Sequence, residues 1–442
     1  MKFPINYKNL DKYLFLISIF TIILFFFGFY LQENSAGAGG LNGDFTHVWN
    51  NLTLFKNNNF WTGLDSTAGL NEFKYKSNRP PLLYILNAYF NPYVSNKEDF
   101  FLSVFIFSFL TYILFFYSLR KIYSNSINNS LILLLSSIIL LSPYFRTSSF
   151  WGLEENFGIF ATIVSIIFFN KIKSDQNKNQ SINIFFVVFF SSLCVYFDQK
   201  LVIIPMYFYL SFLLSNNFSL NSKISSTILY FIFSIPFLYL IYIWGNIMPV
   251  HDAAVRGVLK MIYWKNLVYS LTIIAFYIFP FLFLKKENFF ADFKHKFKNF
   301  KIYFFFSILA LYLVFLAKID PLEKEFLGNG IVYKFSILIF NNFDLSKIFL
   351  YLSFFGSISV IYLFIDDIRD YLFIIALILS SIFITPLFQE YYDPIIFMLV
   401  LMFFFTKLSF NVPKIFFLYS YFFIFFIIAN IHYKSQLFLF FK

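Results

Sequence analysis

The segment Tyr13–Leu31 reads YLFLISIFTIILFFFGFYL and contains no charged side chain. A bilayer core about 30 Å thick needs roughly 20 apolar residues in the α-helix that crosses it. Inside a bilayer only helices and closed barrels satisfy their own backbone hydrogen bonds. The segment therefore predicts a membrane-spanning helix, and comparable apolar runs recur along the chain.

The composition of the whole chain agrees with this prediction. Of 442 residues, 59% are hydrophobic, 25% are aromatic and only 13% are charged, with a mean hydropathy of +0.70. A soluble domain carries about 25% charged residues, so the composition excludes a soluble enzyme, a disordered chain and a DNA-binding protein despite the net charge of +11. The single cysteine, Cys194, excludes an internal disulfide and a thiolate metal site.

Apolar runs of sufficient length predict about 13 transmembrane helices. They are Tyr13–Leu31, Phe100–Leu119, Leu131–Tyr144, Leu153–Phe169, Ile182–Phe197, Leu201–Leu214, Ile224–Ile247, Leu267–Leu284, Ile302–Ala317, Ile348–Ile365, Tyr371–Phe388, Ile395–Phe405 and Ile415–Ile431. The third, sixth and twelfth runs are short, and tight hairpins at Arg146–Trp151 and Asp198–Lys200 would explain two of them. The predicted fold is an all-α polytopic membrane protein with a single integral-membrane domain over residues 1–442.

The charged residues between the spans predict an orientation. Lysines and arginines are concentrated in the segments that share a side with the N-terminus, which the positive-inside bias places in the cytoplasm. Lys285–Lys301 is the strongest marker, and between two spans it is better explained as an orientation signal than as a nucleic-acid site. The long loop that follows the first span, residues 32–99, then lies outside the cytoplasm, ahead of the remaining bundle at 100–431.

This first loop contains the residue on which the functional hypothesis depends. Aromatic and apolar residues recur with a helix-like spacing from Asp44 onward, so we expect a short amphipathic helix lying on the membrane surface. These residues are Phe45, Val48, Trp49, Leu52, Leu54 and Phe55. Asp44 is a candidate catalytic acid, although the start of a helix is also the usual place for an N-cap.

Further polar clusters fall on the same side of the membrane. One cluster is Arg79-Pro80-Pro81-Leu82 in the first loop. The Arg79 guanidinium is permanently charged and planar, so it is suited to bind an anion. Alternatively, Arg79 anchors the loop at the membrane interface. Two adjacent carboxylates at the start of an apolar span are costly unless they face water, a cation or a partner. The candidate residues of these clusters are Asp44, His47, Arg79, Tyr84, Arg146, Glu154, Glu155, His251, Asp252, Arg256, Gln389 and Tyr392. An ion pair between Arg146 and the glutamates, and an ordinary surface position for His251, are the structural alternatives.

This arrangement resembles the GT-C superfamily of integral-membrane glycosyltransferases, especially the branch of protein O-mannosyltransferases and lipid A aminoarabinose transferases. In that branch a long outer loop after the first span carries a catalytic acid near its start, as Asp44 does in Leu41-Asn42-Gly43-Asp44-Phe45. The loop continues into a basic-Pro-Pro-Leu segment, matched by Arg79–Leu82. The next outer turn has an arginine followed by an acid, matched by Arg146 and by Glu154 or Glu155.

The resemblance implies a GT-C-like fold and an inverting transfer of a sugar from a polyprenyl-phosphate donor to a hydroxyl of a glycan, lipid or protein. Asp44 would be the general base, while Glu154 or Glu155 would orient it, bind the acceptor or share a cation. Arg79, Arg146, Arg256, Tyr84, Gln389 and Tyr392 would bind the donor, and His47, His251 and Asp252 would lie near the acceptor. No cofactor is implied, and a divalent metal is allowed but not indicated. The expected location is a bacterial inner membrane, with the active site extracytoplasmic.

Three other functions compete with this hypothesis. A transporter or flippase for lipid-linked sugars would show internal repeats and charges near the midplane of the membrane, and we find neither in the sequence. An O-antigen-type polymerase or ligase usually has its large loop late in the chain, whereas here the large loop is the first one. A non-catalytic scaffold is the third alternative.

Overall fold

The computed structural model describes residues 7–35, 44–174, 180–215, 218–250, 262–285, 303–304, 307–308, 311, 328–340, 342–384 and 386–440. Within these ranges the regular structure is helical, and the remaining backbone pairing is an isolated antiparallel bridge between Lys285 and Leu408. The described part of the chain is therefore all-α, as predicted. It divides into two compact units, one formed by residues 1–255 with 422–442 and the other by residues 256–421.

The described residues form 17 α-helices. In chain order they are α1 (Tyr7–Tyr30), α2 (Asp44–Asn57), α3 (Phe60–Thr67), α4 (Leu82–Phe90), α5 (Lys97–Tyr123), α6 (Asn129–Ser137), α7 (Pro143–Trp151), α8 (Glu155–Ser174), α9 (Gln180–Phe197), α10 (Ile203–Leu214), α11 (Leu220–Trp244), α12 (Lys265–Leu282), α13 (Gly330–Ile339), α14 (Phe343–Phe364), α15 (Ile368–Ser381), α16 (Ile395–Met402) and α17 (Val412–Phe440). Short 3-10 turns cover Ile138–Leu141, Gln199–Val202 and Gln389–Tyr391.

Eight of the described helices are long and apolar enough to cross a membrane, namely α1, α5, α8, α9, α11, α12, α14 and α17. A ninth span is formed if the bent pair Asn129–Leu141 and Pro143–Trp151 is counted as one. This is the pattern expected of an α-helical multi-pass membrane protein. The total of about 13 spans stays a prediction, since α15 and α16 are shorter than a span and most of Ile302–Ala317 lies outside the described residues.

The third predicted span is broken at Ser142 and Pro143. Ser142 has an extended backbone and its Oγ accepts a hydrogen bond from the Phe145 N–H at 3.0 Å, so it caps α7. Pro143 lacks an N–H and begins the new helix, which is bent by 68° from the preceding one. The predicted hairpin turn at Arg146–Trp151 is therefore wrong, because these residues lie inside α7.

The chain instead turns one residue later, at Gly152. Its φ of +69° lies in the left-handed region, and a Cβ there would be 2.7 Å from the ring of Phe100. The second predicted turn, Asp198–Lys200, is confirmed. Asp198 is extended and its Oδ1 accepts a hydrogen bond from the Lys200 N–H at 3.1 Å, where α9 ends and the 3-10 turn begins.

The amphipathic helix predicted from Asp44 onward is also present, as α2. Its apolar residues Phe45, Val48, Leu52 and Phe55 are buried. The helix packs against α4, and the ring of Phe45 lies 4.1 Å from that of Phe101 on α5. We expected the apolar face of α2 to rest on the membrane surface. In the structure other parts of the protein cover this face, so it does not contact the membrane.

The second unit is built around α12, in which 78% of the most apolar window is buried. At its end the Lys285 side chain is buried and its Nζ donates hydrogen bonds to the carbonyl of Leu363 at 2.8 Å and to Asp366 at 2.9 Å. Lys285 belongs to the basic segment that predicted the orientation, and the rest of that segment, residues 286–301, lies outside the described residues.

Candidate active site

Three segments of the first unit meet around the side chain of Arg79. They are the loop that leads into α4, the start of α8, and the turn between α9 and α10. We call the group formed by Arg79, Tyr84, Glu154, Glu155, Asp198 and Lys200 the Arg79 cluster. It contains three carboxylates and two cationic side chains.

The backbone of Arg79 is held by its neighbours in the loop. The Tyr75 hydroxyl donates to the Arg79 carbonyl at 2.7 Å, and the Arg79 N–H donates to the Ser77 hydroxyl at 3.1 Å. Two prolines follow and lead directly into α4, because proline fits the first turn of a helix without losing a hydrogen bond. Tyr84 therefore comes from the first turn of α4, close to Arg79.

The Arg79 guanidinium contacts all three carboxylates of the cluster. Its Nη1 donates to Glu154 at 2.8 Å and its Nη2 forms an ion pair with Glu155. Its Nε lies 3.8 Å from Asp198. Arginine suits this position because its planar fork presents several donors in fixed directions. The charge of Arg79 thus holds together acids from two separate hairpins.

Glu154 is the buried acid of the cluster. Its side chain is 3% exposed, one oxygen accepts the Arg79 hydrogen bond, and the other accepts one from the Tyr84 hydroxyl. Burial raises the pKa of the Glu154 carboxyl, and the nearby Arg79 charge opposes this shift. Burial, followed by the nearby Glu154 charge, raises the pKa of Tyr84 well above its usual value, so the phenol keeps its proton and donates.

Glu155 occupies the more accessible position. Its side chain is 16% exposed, and its second oxygen accepts a hydrogen bond from the Ser148 hydroxyl of α7 at 3.0 Å. Glu155 begins α8, where a negative charge is favourable next to the free backbone N–H groups. Of the two glutamates that the sequence could not distinguish, Glu155 is the one that a solvent-borne molecule reaches more easily.

The turn Asp198–Lys200 is a part of the site that the sequence did not predict. Asp198 is buried and its Oδ2 lies 3.1 Å from the Lys200 ammonium, while the Gln199 side-chain amide donates to the carbonyl of Asn78. These contacts fix the turn against the Arg79 loop. The signal in the sequence is an acid and a lysine between two apolar runs, a pattern that by itself predicted only a hairpin.

Arg146 lies in different surroundings, fully buried within the first unit. Its Nε donates to Glu33 at 2.8 Å and its Nη2 pairs with the other oxygen of Glu33. The remaining donors reach carbonyl oxygens, Nη1 that of Leu140 at 3.0 Å and Nη2 that of Leu24 at 3.1 Å. Glu33, at the end of the first span, was not among the predicted residues, and it takes the place of the glutamates as the Arg146 partner.

Aromatic rings enclose this second ion pair. The guanidinium carbon of Arg146 lies 4.7–5.6 Å from the centroids of three rings, namely Phe25, Phe150 and Phe426. Such contacts add a favourable cation–π energy. Asn430 of α17 also approaches Glu33, at 3.4 Å. We call this arrangement of Arg146, Glu33 and the three rings the Arg146 box.

The remaining predicted residues are placed as follows. Asp44 and His47 are exposed in the first turn of α2, and the Arg79 cluster as defined above is built without them. His251, Asp252 and Arg256 lie outside the described residues.

Gln389 and Tyr392 belong to the second unit. Gln389 donates to the Tyr277 hydroxyl at 3.0 Å and accepts from the Ile331 N–H at 2.9 Å. Tyr392 is buried near Ser270 and Ser381. These contacts tie α12, α13 and the loop before α16 to one another.

Within the described ranges, no group of three His, Cys, Asp or Glu side chains is arranged to hold a metal ion. Comparisons of the chain with protein-family models, with curated proteins and with solved structures each found no match.

Proposed function

We propose that this chain is a GT-C-like glycosyltransferase that moves a sugar from a polyprenyl-phosphate donor to a hydroxyl group, with inversion at the anomeric carbon. The observation that carries the proposal is the Arg79 cluster, in which Arg79 holds two glutamates at the start of a membrane-spanning helix. A lipid-linked donor would present its phosphate at such a boundary, where the apolar span meets polar side chains.

The proposed step needs a base and a cation. The acceptor oxygen forms a bond to the anomeric carbon while the bond from that carbon to the phosphate oxygen breaks, and the electron pair remains on the phosphate. The hydroxyl proton passes to a carboxylate. Inversion follows because the acceptor attacks on the face opposite the leaving phosphate.

Two carboxylates compete for the role of base. Asp44 is exposed in the first turn of α2 and agrees with the family resemblance. Glu155 is the more accessible glutamate of the cluster, and it is oriented by Ser148 and Arg79. The buried Glu154 is better suited to positioning, because its oxygens already accept hydrogen bonds from Arg79 and Tyr84.

Cationic groups would stabilise the negative charge that grows on the leaving phosphate. Arg79 is the predicted phosphate ligand, but its donors also hold the two glutamates. Lys200 supplies a second cation in the same cluster and is partly exposed. Arg256 is retained as a candidate from the family resemblance alone.

The proposal is tested by lipid analysis of a strain that lacks this protein. We expect such cells to accumulate a polyprenyl-phosphate sugar and to make a glycan that lacks one residue. When the deletion strain is complemented with Glu155→Gln or with Asp44→Asn, we expect folded protein in the membrane but little consumption of the donor. The variant that consumes less donor identifies the residue that acts as the base. Glu72→Gln, which removes an exposed acid from the same loop, is the matched control and should restore consumption fully.

Two results would overturn the proposal. The first is a normal level of every polyprenyl-phosphate sugar in cells without the protein, because no such donor is then consumed here. The second is accumulation of the donor on the cytoplasmic side alone, as expected when a flippase is lost.

A further inference from the structure

The start of the short helix α3 and Leu70, three residues beyond its end, present apolar side chains to the outside of the protein. Phe60, Trp61 and Leu70 are 39%, 63% and 67% exposed. We call these three residues the α3 ridge. The rings of Phe60 and Trp61 are neighbours, with 5.2 Å between their centroids. Large exposed apolar side chains that lie close together usually mark a surface that is covered by another molecule or by lipid.

The α3 ridge is fixed to the end of a membrane-spanning helix. Farther along α3, Leu64 and the following Ala68 pack against the end of α11, where they form a buried cluster with Leu240 and Trp244. A hydrogen bond from the Trp244 indole N–H to the Thr67 hydroxyl, 2.8 Å long, holds the two helices together. The position of α3 is therefore set by the end of a span.

Most of the surface of α11 is exposed. Only 11% of its most apolar window is buried, the lowest share among the described spans. Its exposed side chains include Leu238, Tyr239 and Tyr242 in the last two turns before Trp244. Because these side chains belong to a span, they face lipid, and α3 is packed and hydrogen-bonded to the end of this same span.

The residue types of the ridge suit the boundary between hydrocarbon and headgroups. Tryptophan is enriched there because its ring is apolar while its indole N–H can still bond to water or to headgroups. By contrast, α2 in the same loop has buried its apolar face against protein. We propose that the α3 ridge lies in the membrane interface and anchors the first loop to the bilayer, independently of the function proposed above.

The test compares the five tryptophans of the full-length chain in lipid nanodiscs. Phosphatidylcholine with brominated acyl chains quenches tryptophan fluorescence on contact, whereas iodide quenches from water. The contribution of Trp61 is the difference between the native chain and Trp61→Phe. We expect brominated lipid to remove most of this contribution and iodide to remove little of it.

Trp151→Phe is the matched control, since Trp151 is buried and its contribution should resist both quenchers. Size-exclusion chromatography of both variants establishes that they fold. The proposal is overturned if iodide quenches the Trp61 contribution and brominated lipid does not, because the ridge then faces water. It is also overturned if neither quencher acts on Trp61, because a second copy of the chain or another protein then covers the ridge.

Discussion

The two buried arginines of the first unit, Arg79 and Arg146, have opposite surroundings. Arg146 pairs with one acid, Glu33, and is enclosed by carbonyl oxygens and aromatic rings. Arg79 contacts three acids, and the cluster around it includes a second cation and a glutamate that is partly exposed. From the sequence, both arginines were predicted to bind a donor phosphate. Their different surroundings in the structure indicate that they have different roles.

The surroundings of the two arginines indicate which of the two groups stabilises the fold. In the Arg146 box, the positive charge is compensated by a single carboxylate and several dipoles, and no polar ligand is needed to complete it. In the Arg79 cluster, carboxylates outnumber cations, an arrangement that costs folding energy and is typical of functional sites. We therefore assign the Arg146 box to folding, and the Arg79 cluster stays the site at which we propose that the chemistry takes place. The predicted role of Arg146 in donor binding stays untested.

The largest effect on stability is expected from Arg146→Ala. It leaves the carboxylate of Glu33 without its main partner, and breaking a buried ion pair in this way costs about 3–5 kcal/mol. We expect a marked fall in the thermal unfolding midpoint in detergent, or a failure to accumulate folded protein. Arg120→Ala, which removes an exposed arginine from the last turn of α5, is the control and should cost no more than about 1 kcal/mol. Equal effects of the two changes would contradict the assignment of the box to folding.

A second prediction concerns Gly28, which lies against the Arg146 box. A Cβ at this position would overlap Nη2 of Arg146 and lie 2.6 Å from Glu33. Gly28→Ala should therefore destabilise the protein by about 1–3 kcal/mol through overpacking. Gly356→Ala on α14 is the matched control, since nothing lies within 4 Å of its added methyl group, and alanine favours the helix there. A stable Gly28→Ala protein would show that the box tolerates displacement.

In the Arg79 cluster the stability effects should be smaller. Tyr84→Phe removes the hydroxyl that donates to Glu154 and leaves the ring in place. Loss of this buried hydrogen bond should cost about 1–2 kcal/mol. The thermal unfolding midpoint of Tyr84→Phe should therefore lie between those of the native protein and of Gly28→Ala. A midpoint equal to that of the native protein would mean that Tyr84 does not support Glu154.

The smallest expected effect is a dependence of the folding stability on pH, which arises from Glu154. Burial raises the pKa of the Glu154 carboxyl above its usual 4.5, so the folded protein binds this proton more tightly than the unfolded chain does. The stability gained from the proton is complete below 4.5 and is lost as the pH rises through the raised pKa. Glu154→Gln lacks this titration.

The measurement is a pair of thermal unfolding midpoints over a pH series that begins below 4.5. The native protein should lose stability relative to Glu154→Gln as the pH rises. A constant difference across the series would indicate that burial does not perturb Glu154.

The sequence predicted the helices better than the contacts between them. The spacing of the apolar residues from Phe45 to Phe55 predicted α2, because burial of one face imposes a helical period on the sequence. Of the six residues used, Phe45, Val48, Leu52 and Phe55 are buried in the structure. A hairpin turn at Arg146–Trp151 was predicted in order to explain the short apolar run before it, and this prediction was wrong. In the structure the side chains of this segment are buried and bonded within the bundle, and the nearby Ser142 and Gly152 set the helix ends.

The candidate site was predictable only in part. In the predicted topology, Arg79, Tyr84, Glu154 and Glu155 lie on the same side of the membrane. Their clustering in the structure agrees with that placement. The partners Glu33 and Lys200 could not be chosen, because an ion pair joins residues distant in sequence and a charge alone does not reveal its partner. Long-range partners depend on how the helices pack, which the apolar composition of the spans does not specify.

The most direct test of the two assignments is donor turnover per molecule of folded protein in Glu155→Gln and Glu33→Gln, with the polyprenyl-phosphate sugar that accumulates in the deletion strain as substrate. Our account predicts that Glu155→Gln folds in normal amounts and loses turnover, whereas Glu33→Gln yields less folded protein with near-normal turnover per molecule. The account would be contradicted if Glu155→Gln turned over the donor normally while Glu33→Gln was stable and inactive.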